Sequence, residues 1–336
     1  MSIAEQSDGT MTEPILTVLM SVYNGEPYLK DAVTSILNQT YSNFQFLIID
    51  NASTDNSQEI IRDFKDSRIK LMEIPENNGL SPALNQGLEK IDTPLVARMD
   101  ADDISINNRF EIQVAFMEKY PSVALLGTAY QTIDENGDLI AHYHPPTTHQ
   151  EIIDAFTSFC LIAHSSVIFR YNPVKNLGGY PTNYILSQDL ALWQRISLKY
   201  QVENLPIELV KIRRHSDQTP KIIEGGKKIL IREERSLYKE ALTHPRITSK
   251  AKRKGHYNLI MAELDYSKAI GEGEHEIANF SKVVKIFLYH PILTLKNSFF
   301  NLVSFVLGFL RNSFIYALKN QLHRILPYKI LSKLHR

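Results

Sequence analysis

Apolar and polar positions in the first hundred residues alternate between two rhythms. ILTVLMSV (15–22) is a continuous apolar run of the kind found in a strand covered on both faces, and FQFLIID (44–50), IKLMEI (69–74) and PLVARM (94–99) read as three further strands. Between them, Leu29, Val33, Ile36 and Leu37 fall at helical spacing and predict a helix over 27–38, with a second over Asp55–Lys65. Ser81 and Pro82 suit the N-cap and first turn of a third helix, 82–90. Strand and helix in turn, joined by short loops, predict an α/β fold with a doubly wound, mainly parallel sheet and right-handed crossovers.

In such a sheet, ligands bind beyond the carboxyl ends of the strands. The unusual polar residues of this half sit there: Tyr23-Asn24-Gly25, Asp50-Asn51, Glu76-Asn77-Asn78-Gly79 and Asp100-Ala101-Asp102. The fourth tip is the densest, because the run Leu95–Met99, broken only by Arg98, ends in Asp100, Asp102 and Asp103. So much negative charge is costly to gather without a counter-ion, so a strand ending this way is a candidate site for a hard cation. The bland alternative is a polar turn, where aspartate is common. Neither a GxGxxG nor a GxxxxGK[ST] follows the first strand, which argues against dinucleotide-binding and P-loop chemistry.

The middle is less regular. A helix over 109–119, a strand over 123–127 and a hairpin turn at ENGD (135–138) are legible. NLGGYP (176–181) reads as a flexible loop. SQDLALWQRI (187–196) reads as a helix with Asp189 in its first turn, and ELVKIRRHSDQT (208–219) as a strand running into a basic, histidine-containing tip.

Composition adds bounds. The chain has 336 residues, 43% hydrophobic and 22% charged, which suits a globular protein of one large domain with an appendage, or two domains. The single cysteine, Cys160, allows no internal disulfide and fits a reducing compartment. The opening MSIAEQSDGTMT has the character of neither a secretion signal nor a span, which predicts a cytoplasmic protein. A net charge of zero hides an asymmetry: residues 225–336 hold 20 of the 37 Lys/Arg and 8 of the 37 Asp/Glu, a balance of +12, leaving −12 for residues 1–224.

Five segments in this order resemble the family-two inverting glycosyltransferases of the GT-A fold, over roughly residues 14–220. They are VLMSVYNGEPYLKDAVTSILNQTYSNFQFLIIDNASTDNS (18–57), NNGLSPALNQGL (77–88), ARMDADD (97–103), SQDLALWQRI (187–196) and RRHSDQT (213–219). The resemblance implies a GT-A (Rossmann-like) mixed, mainly parallel sheet with a C-terminal helical basic extension. It also implies a nucleotide-sugar donor, most often UDP-linked. By position it puts Tyr23 against the base, Asp50 on the imide N–H of a uracil- or thymine-type base, Asp100 on the ribose and Asp102 on the divalent metal of the diphosphate. Asn24, Asn78 and Ala101 join the donor-contacting set, Asp189 becomes the general base, and His215 lies near the metal. The chain departs from the family pattern at Asn51, where a second acid is usual, and at Gln188, where a Glu usually precedes the base. Oxygen ligands with substrate phosphates suit Mg²⁺ or Mn²⁺ rather than zinc.

Other residues have plainer readings. Trp193 suits core packing, His164 a buried hydrogen bond or the acceptor side, and Asp103 a helix cap or a supporting partner of the acids. The stretch 283–318 mixes aromatic, aliphatic and basic residues, and no acid follows Glu276. Its apolar core, Phe299–Leu310, is short of the ~20 residues of a span, and extending it to Leu318 encloses Arg311. The pattern fits a helix lying on an anionic membrane; a packing arm or homodimer interface is the alternative, and nucleic-acid binding fits poorly. The expected organisation is a disordered tail (1–13), a GT-A domain (14–222) and a membrane-associating helical region (223–336). The expected function is inverting sugar transfer to a glycan or lipid-linked acceptor in surface-polysaccharide synthesis, peripheral on the inner membrane face. The rivals are a sugar-phosphate nucleotidyltransferase, which would need a basic Gly-rich loop absent from YNGEPYL, and a non-catalytic binding subunit.

Overall fold

The computed structural model describes residues 13–157, 162–216, 226–252 and 255. Four parallel strands form one half of the sheet: β1 (Leu16–Val22), β2 (Phe44–Asn51), β3 (Ile69–Ile74) and β4 (Leu95–Asp100), ordered β3-β2-β1-β4. Both faces of β1 are buried, as its unbroken apolar run predicts. Leu16, Val18, Met20 and Val22 pack with Leu29, Val33 and Ile36 of α1 (Glu26–Leu37), while Leu19 packs with Leu84 and Leu88 of α3 (Leu80–Leu88). Gly87 permits that second contact, since a Cβ there would meet Leu19 Cδ1 at 2.8 Å.

Beyond β4 the sheet becomes mixed. β8 (Ile168–Arg170) runs antiparallel to β4 and to β6 (Val123–Ile133); β6 is parallel to β9 (Gln201–Arg213), and the short β5 (Ile104–Ser105) is antiparallel to β9. β7 (Leu139–Tyr143) pairs with β6 as a hairpin through Asp134–Asp138, with Gly137 at φ +94°. The sheet is therefore the mixed, mainly parallel one expected. The remaining helices are α2 (Ser57–Asp63), α4 (Arg109–Lys119), α5 (His149–Ala155), α6 (Tyr171–Asn176), α7 (Gln188–Lys199) and α8 (Gly226–Thr243).

Three local readings are corrected. α3 starts at Leu80 with Gly79, at φ +92°, as its N-cap, and Ser81 is buried inside the first turn. Asn77 Oδ1 accepts from Gly79 N–H at 3.0 Å, so the turn is closed one residue before the serine can cap it. β6 reaches Ile133, and β9 starts at Gln201 and ends at Arg213, because the two strands extend each other by parallel pairing along their length. NLGGYP is not a loose loop: Asn85 accepts from Tyr180 N–H at 2.7 Å and donates to Tyr180 O at 2.8 Å, and Tyr180 is buried.

The chain divides into two compact units, 1–272 and 273–336. Leu237 and Ala241 of α8 share a core cluster with Trp193 and Ile196 of α7, so α8, which the sequence reading grouped with the basic C-terminal region, is packed into the first unit. Cys160, residues 217–219, the N-terminal twelve residues and the amphipathic stretch 283–318 lie outside the described residues.

Candidate active site

The tips of β1, β2 and β4 build the floor of the site. Val22 of β1 is in register with Asp50 of β2, and Ser21 with Asp100 of β4. The two acids thus flank the end of one strand, on backbones about 10 Å apart from strand spacing.

On the β2 side two loops lace together. Asn24, at φ +52°, accepts from Thr54 N–H at 2.8 Å, and its own N–H donates to Ser53 Oγ at 3.1 Å. Glu26 N–H donates to Asp55, and Glu26 accepts from both the backbone and the side chain of Asn56. Tyr23, beside this lacing, is 50% exposed and presents an open ring. Asp50 is fully buried; its carboxylate accepts from Ser53 N–H at 3.3 Å and from Gln58 Nε2 at 2.6 Å. Asn51, at the position where the family usually has an acid, donates to Asn77 Oδ1 at 3.0 Å, a bond a carboxylate could not make. Asn78 lies exposed in the same loop.

On the β4 side, Asp100 pairs with the buried Arg98 and accepts from Ser165 Oγ at 2.9 Å. Burial raises its pKa, but Arg98 and the Ser165 hydroxyl outweigh that and leave the carboxyl below its ordinary value. Asp102 Oδ2 lies 3.0 Å from His215 Nε2. His215 is brought there because Asp103, buried beneath the tip, accepts from Arg213 N–H at 2.9 Å, and Arg213 donates to Asp102 O at 3.0 Å. Asp103 therefore caps the end of β9, not a helix. Burial, then the charges of Asp102 and Asp100, raise its pKa well above the usual carboxylate value. Ala101, between the acids, is half-buried.

Among the described residues there is no cluster of three metal-ligating side chains. Two donors suit a cation completed by phosphate oxygens and water, as Mg²⁺ sites commonly are. The 3.0 Å contact between His215 Nε2 and Asp102 Oδ2 is a hydrogen bond that holds the two side chains together at the β4 tip. The expected Mg²⁺ or Mn²⁺ would meet here one carboxylate and one imidazole, so phosphate and water oxygens would have to supply the rest of its shell.

Asp189 is the second residue of α7, and its Oδ1 accepts from Leu190 N–H at 2.7 Å. Burial, with a smaller push from Asp100, raises its pKa to about 6 against the opposing pull of Leu190 N–H and Arg98. His164, whose Nε2 is 3.1 Å from Tyr180 Oη, has its pKa lowered to about 3, by burial first and then by Arg98. It is a neutral, buried, hydrogen-bonded histidine, and Trp193, packed on its ring and fully buried, is core. The Arg98–Asp100 pair, the Ser165 contact and the pinned Tyr180 were not found from sequence; only Arg98, a charge inside an apolar strand, left a visible sign.

Residues 17–175 match the profile described as Glycosyl transferase family 2. The amylovoran biosynthesis glycosyltransferase AmsE of Erwinia amylovora is 33% identical over 212 residues, covering 62% of this chain and 79% of that protein. The O-antigen biosynthesis glycosyltransferase WbnJ of Escherichia coli is 32% identical over 215 residues, covering 62% and 82%. The chain belongs to glycosyl transferase family 2. This glycosyltransferase also shares its fold with TarS of S. aureus in complex with UDP-GlcNAc (TM-score 0.61, 16% identity, 81% of this chain and 80% of that one). A second likeness is to the mannosyltransferase PcManGT of Pyrobaculum calidifontis, in complex with GDP-Man and Mn²⁺ (TM-score 0.57, 17% identity, covering 90% and 88%). The GT-A expectation of the sequence is met, and the two relatives named above are assigned to amylovoran and O-antigen biosynthesis. No helix among the described residues is long and apolar enough to cross a membrane.

Proposed function

We propose that this family-two enzyme transfers a sugar from a UDP-linked donor to a hydroxyl of a glycan or lipid-linked acceptor, with inversion, in surface-polysaccharide assembly. The observation that carries the reading is Asp189, at the start of α7 and close enough to Asp100 to feel its charge, a carboxylate whose pKa burial raises to about 6. A base of that strength is about nine-tenths ionised at pH 7 and still accepts a proton readily. Asp189 takes the proton of the acceptor hydroxyl as its oxygen attacks the anomeric carbon from the face opposite the leaving diphosphate. Tyr23 stacks on the base, with Asn24, Asn78 and Ala101 lining the donor. Asp50 reads the imide N–H, which takes over the carboxylate oxygen that Gln58 Nε2 donates to. Asp100 holds the ribose, its charge kept ionised by Arg98. Asp102 and His215 hold Mg²⁺ or Mn²⁺, which when bound offsets charge on the departing diphosphate. The basic residues after Glu276 bring the enzyme to an anionic membrane surface that carries the acceptor.

The test is nucleotide release from a panel of UDP- and GDP-sugars with Mg²⁺, Mn²⁺ or excess chelator, with the anomeric configuration of the product read by NMR. The reading expects one UDP-sugar to dominate, release to fall at least about 100-fold in chelator, and the anomer to invert. Full turnover in chelator, or a retained configuration, contradicts it.

A further inference from the structure

The turn that delivers Asp189 to the cleft is held from outside the 17–175 family match. Ile185, Leu186 and Ser187 point three consecutive backbone N–H groups at the carboxylate of Glu233, at 2.7, 3.0 and 3.0 Å. Glu233 lies on α8, 46 residues after Ser187, and is only 4% exposed. Ser187 is the N-cap residue of α7, yet its hydroxyl makes no cap bond and is buried without a partner, so the turn does not cap itself. A carboxylate that accepts three N–H groups at the positive end of a helix makes charge-assisted bonds. α8 is itself fixed on α7: Gln194 Nε2 donates to Leu237 O at 3.0 Å, and Leu237 and Ala241 lie in the core beside Trp193. The path from Glu233 to Asp189 is therefore two residues of helix beyond a clamped turn.

We infer that Glu233 is a positioning residue for sugar transfer: it fixes the 185–187 turn from α8 and so sets where the Asp189 carboxylate stands against the acceptor hydroxyl. The inference rests on Asp189 being the base. Misplacing a reacting group by about 1 Å can cost on the order of 100-fold in rate. The donor floor, built from β1, β2 and β4, does not depend on this clamp, so kcat and donor binding should separate.

The experiment compares the full-length wild type with Glu233→Gln and Glu233→Ala, using Asp189→Asn as the control. The readouts are amide hydrogen exchange at 185–187, UDP binding by calorimetry, and kcat and donor KM for the sugar nucleotide turned over by the wild type. Expected are faster exchange at 185–187 and a kcat loss of about 10- to 100-fold, larger for Ala than for Gln. UDP affinity and donor KM should stay within about twofold. The acidic limb of the pH profile should move down as water reaches Asp189, with Asp100, Arg98 and Tyr180 still facing it. The inference is overturned by unchanged exchange at 185–187, by a kcat within twofold of wild type in folded Glu233→Ala, or by a kcat loss matched by an equal loss of UDP affinity. If Asp189→Asn turns over normally, the base assignment itself has failed. If that variant is inactive while Glu233→Ala is not, the clamp alone fails.

Discussion

At residue 189 the protein keeps a carboxylate where burial opposes its charge. Burial is the leading cause of its raised pKa of about 6, and Asp100 adds to it. A base must be ionised to work, so the sign is fixed: activity is full above that value and falls as pH drops through it. We expect kcat to be flat from about pH 7 to 8 and to lose about tenfold per unit below pH 6; a profile flat down to pH 4.5 would contradict the assignment. The acids at 50, 100, 102 and 189 were legible in sequence because each interrupts or ends an apolar rhythm, and because three of the five segments with a family likeness contain them. Glu233 was not. It is one acid in a helix whose neighbours are mainly basic and apolar, and its partners are backbone N–H groups, which leave no trace in side-chain identity. Gln58 was hidden for a similar reason: its amide meets Asp50 only once β2 and α2 are folded back on one another.

At the scale of elements, apolar periodicity gave β3 and α4 their observed bounds and placed β1, α1 and β2 within one residue. It understated β6 and misplaced β9, because strands paired in parallel inside a mixed sheet draw their length from the partner rather than from their own pattern. The loop 176–181 shows the same effect. Its glycines read as looseness, yet Gly178 and Gly179 take φ of +83° and +75° to deliver Tyr180 to Asn85. Asn85→Ala should leave a buried N–H and a C=O unpaired, costing about 1–3 kcal/mol in denaturant melts. It should also lower turnover, since Tyr180 faces both Asp189 and Asp100. Unchanged stability would mean the loop holds itself.

Over the whole molecule, charge is divided between a −12 segment that contains the site and a +12 segment that begins at residue 225. The structure joins the start of the basic segment to the acidic one through α8, so the boundary in charge is not a boundary in packing. The acid-free run begins after Glu276. A chain ending at 276 should still turn over donor but lose binding to vesicles with anionic headgroups; equal vesicle binding by both chains would remove the membrane role. The central claim is direct displacement with Asp189 as the base, and it is tested most directly by single-turnover nucleotide release from wild type and Asp189→Asn at pH 8, with donor affinity measured alongside. The account predicts a rate loss of about 100-fold or more with donor affinity unchanged; release by the variant at the wild-type rate would contradict it.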